Sequence, residues 1–371
     1  MQLARIKMVL NEPSKYAKQW KLDHDKRVIG VFLSDAPEEL IDASDSLPFT
    51  LLGEEKGSGA GSSIPDFACS LIRNTLHQAI LKELEFLDGL VIPYLCDSSR
   101  PLFHLWKRNF PTQFSDLLRL PKKLKGDGVK VYLVHELRRF METLEAFYGI
   151  SITKEGLWKS IDIYNENRRY LRRIKALRYG NPYLMSNFEF FSLIKSSMLM
   201  PKNEHNQILK KVITGMESPP VSSHSILPKK VFLSGKIAVP FEIFQWLDEM
   251  GLFVADDDLA VGTRYFSYEV EEGEDPFHAL AESYFKRIPS ALVEGKEDRL
   301  SYIVKRVKGG DLKGVIFLHL KFCEPLIFDY PDLKKGLDRE GIPNLLIETE
   351  LHTLASSQIK TRLQAFAEML E

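Results

Sequence analysis

Two of the three cysteines in this chain occupy equivalent positions. Cys96 follows the apolar run over residues 89–95, and Cys323 comes shortly after the apolar run over residues 314–320. Both runs open with glycine and are typical of strands buried on both faces of a parallel sheet. Ligands of open α/β folds bind beyond the carboxyl ends of such strands. The two cysteines, with Cys69 as a third, therefore predict a metal site at the seam between two halves of the chain.

Cys69 begins a predicted helix, where the helix dipole, free amide groups and nearby Arg73 would stabilise its thiolate. Three thiolates without a histidine-rich tract nearby fit an iron-sulfur cluster with one non-protein ligand better than a four-coordinate zinc site. The alternative is that all three are ordinary buried thiols. Free cysteine packs as a small apolar residue, and none of these spacings is of the compact CxxC type.

Two other groups of polar residues precede or follow predicted elements. The acidic run over residues 256–258 ends a predicted strand. It predicts either a divalent-cation site or, as is usual for such runs, a solvated turn with Arg264 as its salt-bridge partner. Ser356, Ser357 and Gln358 stand where a helix begins, and there they would bind a phosphate or thioester oxygen or simply cap the helix.

Composition places the chain among soluble globular proteins. Its 371 residues predict two domains, and 44% apolar with 27% charged residues is ordinary for a folded domain. A net charge of −1 gives no global attraction to nucleic acid or to an anionic membrane. The sequence has no signal-peptide pattern and no apolar stretch of bilayer length, so we expect a cytoplasmic protein that does not bind membranes. Three sparse cysteines also argue against a disulfide framework.

The pattern of apolar runs predicts an α/β fold with two Rossmann-like parallel-sheet domains and an intervening helical segment. Predicted strands cover residues 26–34, 49–52, 87–95, 129–134, 230–235, 252–256, 314–320 and 344–348. Helices are predicted between them, for example over residues 71–86, 240–250 and 276–287. Residues 153–216 show only helical periodicity, and the Pro/Ser-rich residues 217–225 are typical of a linker. The predicted divisions are residues 1–150, 151–222 and 223–371, and the similar order of the two α/β parts indicates an internal pseudo-repeat.

Seven short segments together resemble the 2-hydroxyacyl-CoA dehydratase and benzoyl-CoA reductase family, to which the D-component of 2-hydroxyglutaryl-CoA dehydratase belongs. They are residues 36–41 (APEELI), 69–73 (CSLIR), 87–97 (LDGLVIPYLCD), 161–168 (IDIYNENR), 262–266 (GTRYF), 321–325 (KFCEP) and 358–366 (QIKTRLQAF). The segments keep the family's order and span nearly the whole chain. No single segment carries the resemblance.

The resemblance implies that Cys69, Cys96 and Cys323 hold a [4Fe-4S] cluster. It implies one subunit of an oxygen-sensitive heterodimer with a homologous second subunit, served by a separate ATP-dependent iron-sulfur activator protein. The family removes water from an (R)-2-hydroxyacyl-CoA: one electron passes through the cluster to the thioester, and the resulting ketyl radical expels the hydroxyl group to give a 2-enoyl-CoA. The alternatives are a subunit of a benzoyl-CoA reductase type enzyme, or a non-catalytic partner or electron-relay subunit.

Ser34, Glu39 and Gln358 are the predicted groups near the acyl-CoA substrate. The sequence departs from the family in three places. Residues 32–35, which include Ser34, stand before the Pro-Glu-Glu segment where relatives often carry a cysteine or serine near the cluster; residues 45–46 (DS) stand where Ala-Gly is usual; and Ser290 stands where many relatives have another cysteine. These departures leave the three cysteines intact. They leave open whether this subunit holds the substrate-binding cluster or the relay cluster of a pair.

Overall fold

Two four-stranded sheets, in which every strand pair is parallel, form the framework of the protein. The structure is a computed structural model that describes residues 2–33, 35–53, 64–65, 67–111, 113–126, 128–218, 227–237, 240–294, 298–351 and 356–370. Helices cover both sheets, because parallel strands need crossover connections and bury both faces. The predicted fold class, with two Rossmann-like sheets, is confirmed.

The strands are β1 Arg27–Phe32, β2 Ser46–Leu51, β3 Gly89–Pro93, β4 Phe114–Leu118, β5 Lys229–Gly235, β6 Leu252–Asp257, β7 Gly314–Leu320 and β8 Asn344–Thr349. The first sheet has the order β2-β1-β3-β4, and the second has the order β6-β5-β7-β8. The two orders are identical when β5 to β8 are matched in sequence with β1 to β4. This equivalence agrees with the predicted pseudo-repeat, and it places Cys96 and Cys323 after corresponding strands, β3 and β7.

The helices that cover the sheets and join them are α1 Gln2–Asn11, α2 Pro13–His24, α3 Glu38–Ala43, α4 Ser70–Ile80, α5 Ser99–Asn109, α6 Val129–Tyr148, α7 Lys154–Gly180, α8 Asn187–Ser197, α9 Lys202–Glu217, α10 Ile243–Glu249, α11 Thr263–Phe266, α12 Pro276–Phe285, α13 Arg299–Gly309, α14 Glu324–Arg339 and α15 Ser356–Met369. A short 3₁₀ helix, Pro182–Leu184, lies between α7 and α8. Within the described ranges, no helix is both long and apolar enough to cross a bilayer.

One predicted strand is wrong. Residues 129–134 form the first turns of α6, and Val131 on that segment is 58% exposed, as a side chain on the outer face of a helix can be. One edge strand of the first sheet is instead β4, which sequence patterning missed. Its buried Asp116 breaks the apolar signal, and both carboxylate oxygens of Asp116 accept hydrogen bonds from Arg139 of α6 at 2.7 and 2.9 Å.

The predicted helical segment is formed by α7, α8 and α9, and the described residues between 151 and 218 contain no strand. Thr153 caps α7 as predicted, since its hydroxyl accepts a hydrogen bond from the Gly156 amide at 3.0 Å. Most of the predicted linker lies outside the described residues. Helix α12, which follows the second sheet's first two strands, packs against α6 of the first half. The division at residues 150 and 222 stays a prediction.

Candidate functional site

One cavity of about 630 Å³, part of it open to solvent, lies where the carboxyl ends of the two sheets face each other. Its wall is mostly apolar and is built from residues that follow β1, β3, β5, β6 and β7, together with the start of α4 and of α14. The lining residues used below are Cys69, Cys96, Gly235, Lys236, Asp258, Arg264, Ser290, Arg299 and Cys323. All three cysteines of the chain therefore reach one cavity, at the position that the strand-end argument predicted.

Each cysteine stands at or just before the start of a helix. Cys69 is the N-cap residue of α4, and Cys323 is the N-cap residue of α14. Cys96 lies in the loop between β3 and α5. Ser99 fixes that loop: its hydroxyl accepts from the Cys96 amide at 3.3 Å and donates to the Cys96 carbonyl at 2.7 Å. Two helix N-caps and one hydrogen-bonded loop thus present the three thiols.

Burial raises the pKa of the Cys69 thiol to about 11 and that of the Cys323 thiol to about 12. Each is raised further by the charge of neighbouring thiolates among the three. The predicted stabilisation of the Cys69 thiolate is present but outweighed: amides of α4 and the charge of Arg73, which is paired with Glu350 at 3.1 Å, lower its pKa less than burial raises it. Three thiolates become stable together here only if a bound group supplies positive charge.

The donor set fits a polynuclear group better than a single ion. Among the described residues, no three His, Cys, Asp or Glu side chains converge as ligands of one metal ion must. A zinc ion would draw its sulfur ligands to about 2.3 Å, whereas the irons of an iron-sulfur cluster are bound by separate thiolates. Three thiols spread around one cavity match an iron-sulfur cluster in which one iron has no protein ligand.

Charged side chains of the second half of the chain share the wall with the thiols, and one of them is paired with a carboxylate of the first half. Lys236, directly after β5, donates to Asp35 of the first half at 2.8 Å, and both side chains are buried. Arg299 donates to Asp258 at 2.9 Å. Lys236, Asp35 and Arg299 were not singled out in the sequence, whereas Asp258 was, as part of the acidic run. The argument that located Cys96 and Cys323 applies here too, because Lys236 and Asp258 also follow the carboxyl ends of strands.

The acidic run at the end of β6 is not a solvated turn, and that prediction is wrong. All three carboxylates are buried. Asp256 is paired with Lys175 and Arg306. Asp257 accepts a hydrogen bond from the Thr263 amide at 2.7 Å, and burial raises its pKa to about 6. Because protein donors already engage these side chains, they hold the chain in place and provide no cation site.

Arg264 is also not the salt-bridge partner of that run. Its guanidinium donates to the backbone carbonyl of Pro289, and no described carboxylate lies within ion-pair distance of it. Ser290, the next residue after Pro289, lies on the same cavity wall. The position at which the family resemblance implies a further cysteine therefore lines the same cavity as the three thiols.

The residues predicted to lie near the substrate are not brought together by the described structure. Ser34 lies outside the described residues. Glu39 is buried in α3 and paired with Arg168 of α7. Gln358 is exposed on α15. Neither Glu39 nor Gln358 lines the thiol cavity, and their roles stay predictions.

Comparison with known proteins identifies the family. Residues 33–370 match the family described as 2-hydroxyglutaryl-CoA dehydratase, D-component. The (R)-phenyllactyl-CoA dehydratase beta subunit of Clostridium sporogenes is 30% identical, over 98% of this chain and 97% of that protein. The lactoyl-CoA dehydratase beta subunit of Anaerotignum propionicum is 27% identical, over 99% and 98% of the two chains.

A relative with a different activity in its name is about as similar. A benzoyl-CoA reductase subunit of Thauera aromatica is 26% identical, over 96% of this chain and 94% of that protein. The match therefore extends over nearly the full length of dehydratase and reductase subunits alike. The chain belongs to the 2-hydroxyglutaryl-CoA dehydratase D-component family and is an enzyme subunit of the dehydratase type.

Proposed function

We propose that the protein is one subunit of an iron-sulfur 2-hydroxyacyl-CoA dehydratase, which removes water from an (R)-2-hydroxyacyl-CoA through a substrate ketyl radical to give a 2-enoyl-CoA. The observation that carries this proposal is the single cavity lined by Cys69, Cys96 and Cys323 at the carboxyl ends of both sheets. The relatives named phenyllactyl-CoA and lactoyl-CoA dehydratase subunits support the substrate class.

The reaction explains why such a site is needed. The β-proton of a 2-hydroxyacyl thioester is too weakly acidic for an ordinary base to remove at neutral pH. A [4Fe-4S] cluster held by the three thiols would supply one electron to the site. The chain's own residues would hold that group and keep water from it: the wall is mostly apolar, and amides at the start of α4 already lower the pKa of Cys69.

A benzoyl-CoA reductase type subunit is the second candidate. The observation that favours it is the similarity to the reductase subunit of Thauera aromatica, which is close to the similarity to the lactoyl-CoA enzyme. Both candidates require the same thiol site. The third candidate is a non-catalytic partner subunit or an electron-relay subunit. Either would differ from the first two candidates in its substrate contacts, and a metal-free partner subunit would also differ in its iron content. Turnover of a 2-hydroxyacyl-CoA against an aromatic acyl-CoA separates the first two candidates.

The proposal includes a homologous second subunit, a separate ATP-dependent activator and a cytoplasmic location. Support for a protein contact comes from exposed apolar side chains near the thiols in sequence: Phe67 is 71% exposed, Phe322 42% and Phe328 80%. Phe67 is two residues from Cys69, and Phe322 is next to Cys323. Exposed aromatic side chains beside a site are typical of protein contact surfaces.

The testing experiment is iron and acid-labile sulfide analysis with EPR spectroscopy, on protein purified and reconstituted without oxygen. We expect about four irons and four sulfides per chain, as a single cubane cluster contains. Cys323→Ser should lower the iron content sharply and leave the fold intact. The matched control is Ser290→Ala, which changes the same cavity wall without removing a thiol.

Two results would count against the proposal. Wild-type protein without iron after anaerobic reconstitution would leave three ordinary free thiols and favour the non-catalytic subunit. Unchanged iron in Cys323→Ser would remove Cys323 from the ligand set.

A further inference from the structure

Arg264 is a buried cation on the wall of the thiol cavity without a carboxylate of its own. Its side chain is 6% exposed, and within the described residues it donates a hydrogen bond to the neutral carbonyl of Pro289. Burying a guanidinium without a counter-ion costs folding free energy, and such groups are normally paired. The position of Arg264 therefore needs an explanation.

The neighbouring carboxylates are already engaged by other cations. Asp35 is shared by Lys236 at 2.8 Å and Arg287 at 3.8 Å. Arg299 is paired with both Asp258 and Asp329. These ionic groups around the cavity therefore comprise four cations, counting Arg264, and three carboxylates. Among these named groups one positive charge is in excess. Asp35 and Asp258 attract Arg264 from beyond ion-pair distance, so Arg264 is the cation of this group without an ion pair to a described residue.

The backbone on both sides of Arg264 is fixed. The Thr263 amide donates to Asp257 at 2.7 Å, and the Thr263 hydroxyl oxygen accepts a hydrogen bond from Lys175 at 2.6 Å. Tyr265 donates its hydroxyl to Glu38 at 2.7 Å. Because both neighbours are anchored, the guanidinium is held at the cavity and is not free to find a partner elsewhere.

An anionic occupant of the cavity would complete the charge balance. Three thiolates outweigh the positive charge of an oxidised [4Fe-4S] core, so the bound cluster is an anion, and reduction adds a further negative charge. A fixed cation beside such a group stabilises the reduced form more than the oxidised form, and it does so strongly in a low-dielectric wall.

Resting on the proposed function, we propose that Arg264 is the positioning residue that balances the charge of the thiolate-bound cluster and favours its reduced state. It acts on the cluster by its charge and touches no substrate in this role.

The test compares Arg264→Gln with Arg264→Lys in the full chain, by anaerobic redox titration followed by EPR. At the wild-type midpoint potential, we expect the ratio of reduced to oxidised cluster to fall at least tenfold in Arg264→Gln, which corresponds to about 59 mV for one electron. Arg264→Lys keeps the charge and should recover most of that shift. The control is Arg169→Gln, which removes an exposed guanidinium and should leave the ratio unchanged.

A second measurement needs no cluster. Iron-free Arg264→Gln should unfold at a temperature equal to or above that of the iron-free wild type, because it lacks the unpaired buried charge. A variant that fails to fold, or whose iron-free form is less stable, overturns the inference.

The outcomes separate the inference from the function on which it rests. Normal iron content with an unchanged potential in Arg264→Gln overturns the inference and leaves the proposed function standing. A wild-type chain that binds no iron overturns both. A lowered potential in Arg264→Gln that is recovered in Arg264→Lys supports both.

Discussion

The ion pair between Glu39 and Arg168 allows a sharp test of whether a residue predicted to lie near the substrate is instead structural. Both side chains are buried, and the Arg168 guanidinium also donates to Asn165 at 3.1 Å and to the Tyr268 hydroxyl at 3.1 Å. It stacks over the Tyr268 ring with 4.3 Å from the guanidinium carbon to the ring centroid. The pair joins α3 at the end of the first sheet to α7 of the helical segment.

Glu39→Gln keeps the shape of the side chain and removes its charge. It leaves a buried guanidinium without a counter-ion, which costs about 3–5 kcal/mol. Unfolding entropy is about 2.1 cal/mol/K per residue, or about 0.8 kcal/mol/K for a chain of 371 residues. We therefore expect the unfolding temperature to fall by about 4–6 °C if the chain unfolds as one unit.

The assay is thermal unfolding followed by circular dichroism, at neutral pH and fixed ionic strength. The matched control is Glu340→Gln, which breaks the exposed pair with Lys308 and should shift the midpoint by about 1 °C or less. An unfolding temperature for Glu39→Gln within about 1 °C of wild type, together with lost turnover, would refute the structural reading and favour a substrate contact.

The pH dependence has a definite sign. Burial alone would raise the pKa of Glu39, but the charge and hydrogen bond of Arg168 outweigh it and hold that pKa below its usual range. A carboxylate with a depressed folded-state pKa contributes stability above its unfolded pKa of about 4.3 and loses it as pH falls through the folded value. The difference in unfolding free energy between wild type and Glu39→Gln should therefore be constant around neutral pH and should become smaller below about pH 4.

Two further substitutions test other parts of the structure. Phe328→Glu should weaken association with the second subunit by tenfold or more, a loss of about 1.4 kcal/mol. The unfolding temperature should stay unchanged because this side chain is 80% exposed; equal affinity in a titration would exclude it from the contact. Gly235→Ala should lower the unfolding temperature, since the added Cβ would stand 2.3 Å from the Leu318 carbonyl oxygen. Gly215→Ala, with nothing within 4 Å, is the control, and equal shifts for both would contradict that steric argument.

The sequence predicts the strands of the second sheet well because each is an apolar run with turn residues on both sides. It fails at residues 129–134, where a short apolar run fits a strand and a helix equally well. It also misses β4, because Asp116 interrupts the apolar pattern of that strand. The buried carboxylate of Asp116 is neutralised by Arg139, which lies in another element, so no local sequence pattern predicts the pair.

Cys96 and Cys323 could be placed from the sequence because a residue after a parallel strand reaches the crevice whatever its neighbours are, whereas Cys69 was placed only as the start of a helix. The charged groups of the same wall could not be assigned in this way. Arg264 and the acidic run over residues 256–258 are close in the chain, which favoured a local salt bridge. The real partners of the run come from α7 and α13, about 40 or more residues away.

The supply of thiols from both halves of the chain has a consequence for biosynthesis. Cys69 and Cys96 emerge with the first sheet, whereas Cys323 enters only after the second sheet's third strand has been made. A group that needs all three thiols can thus be inserted only into a chain that is almost wholly synthesised and whose two halves have met. A chain whose two halves had not assembled correctly would then fail to retain the metal group, and this failure would distinguish it from a correctly folded chain.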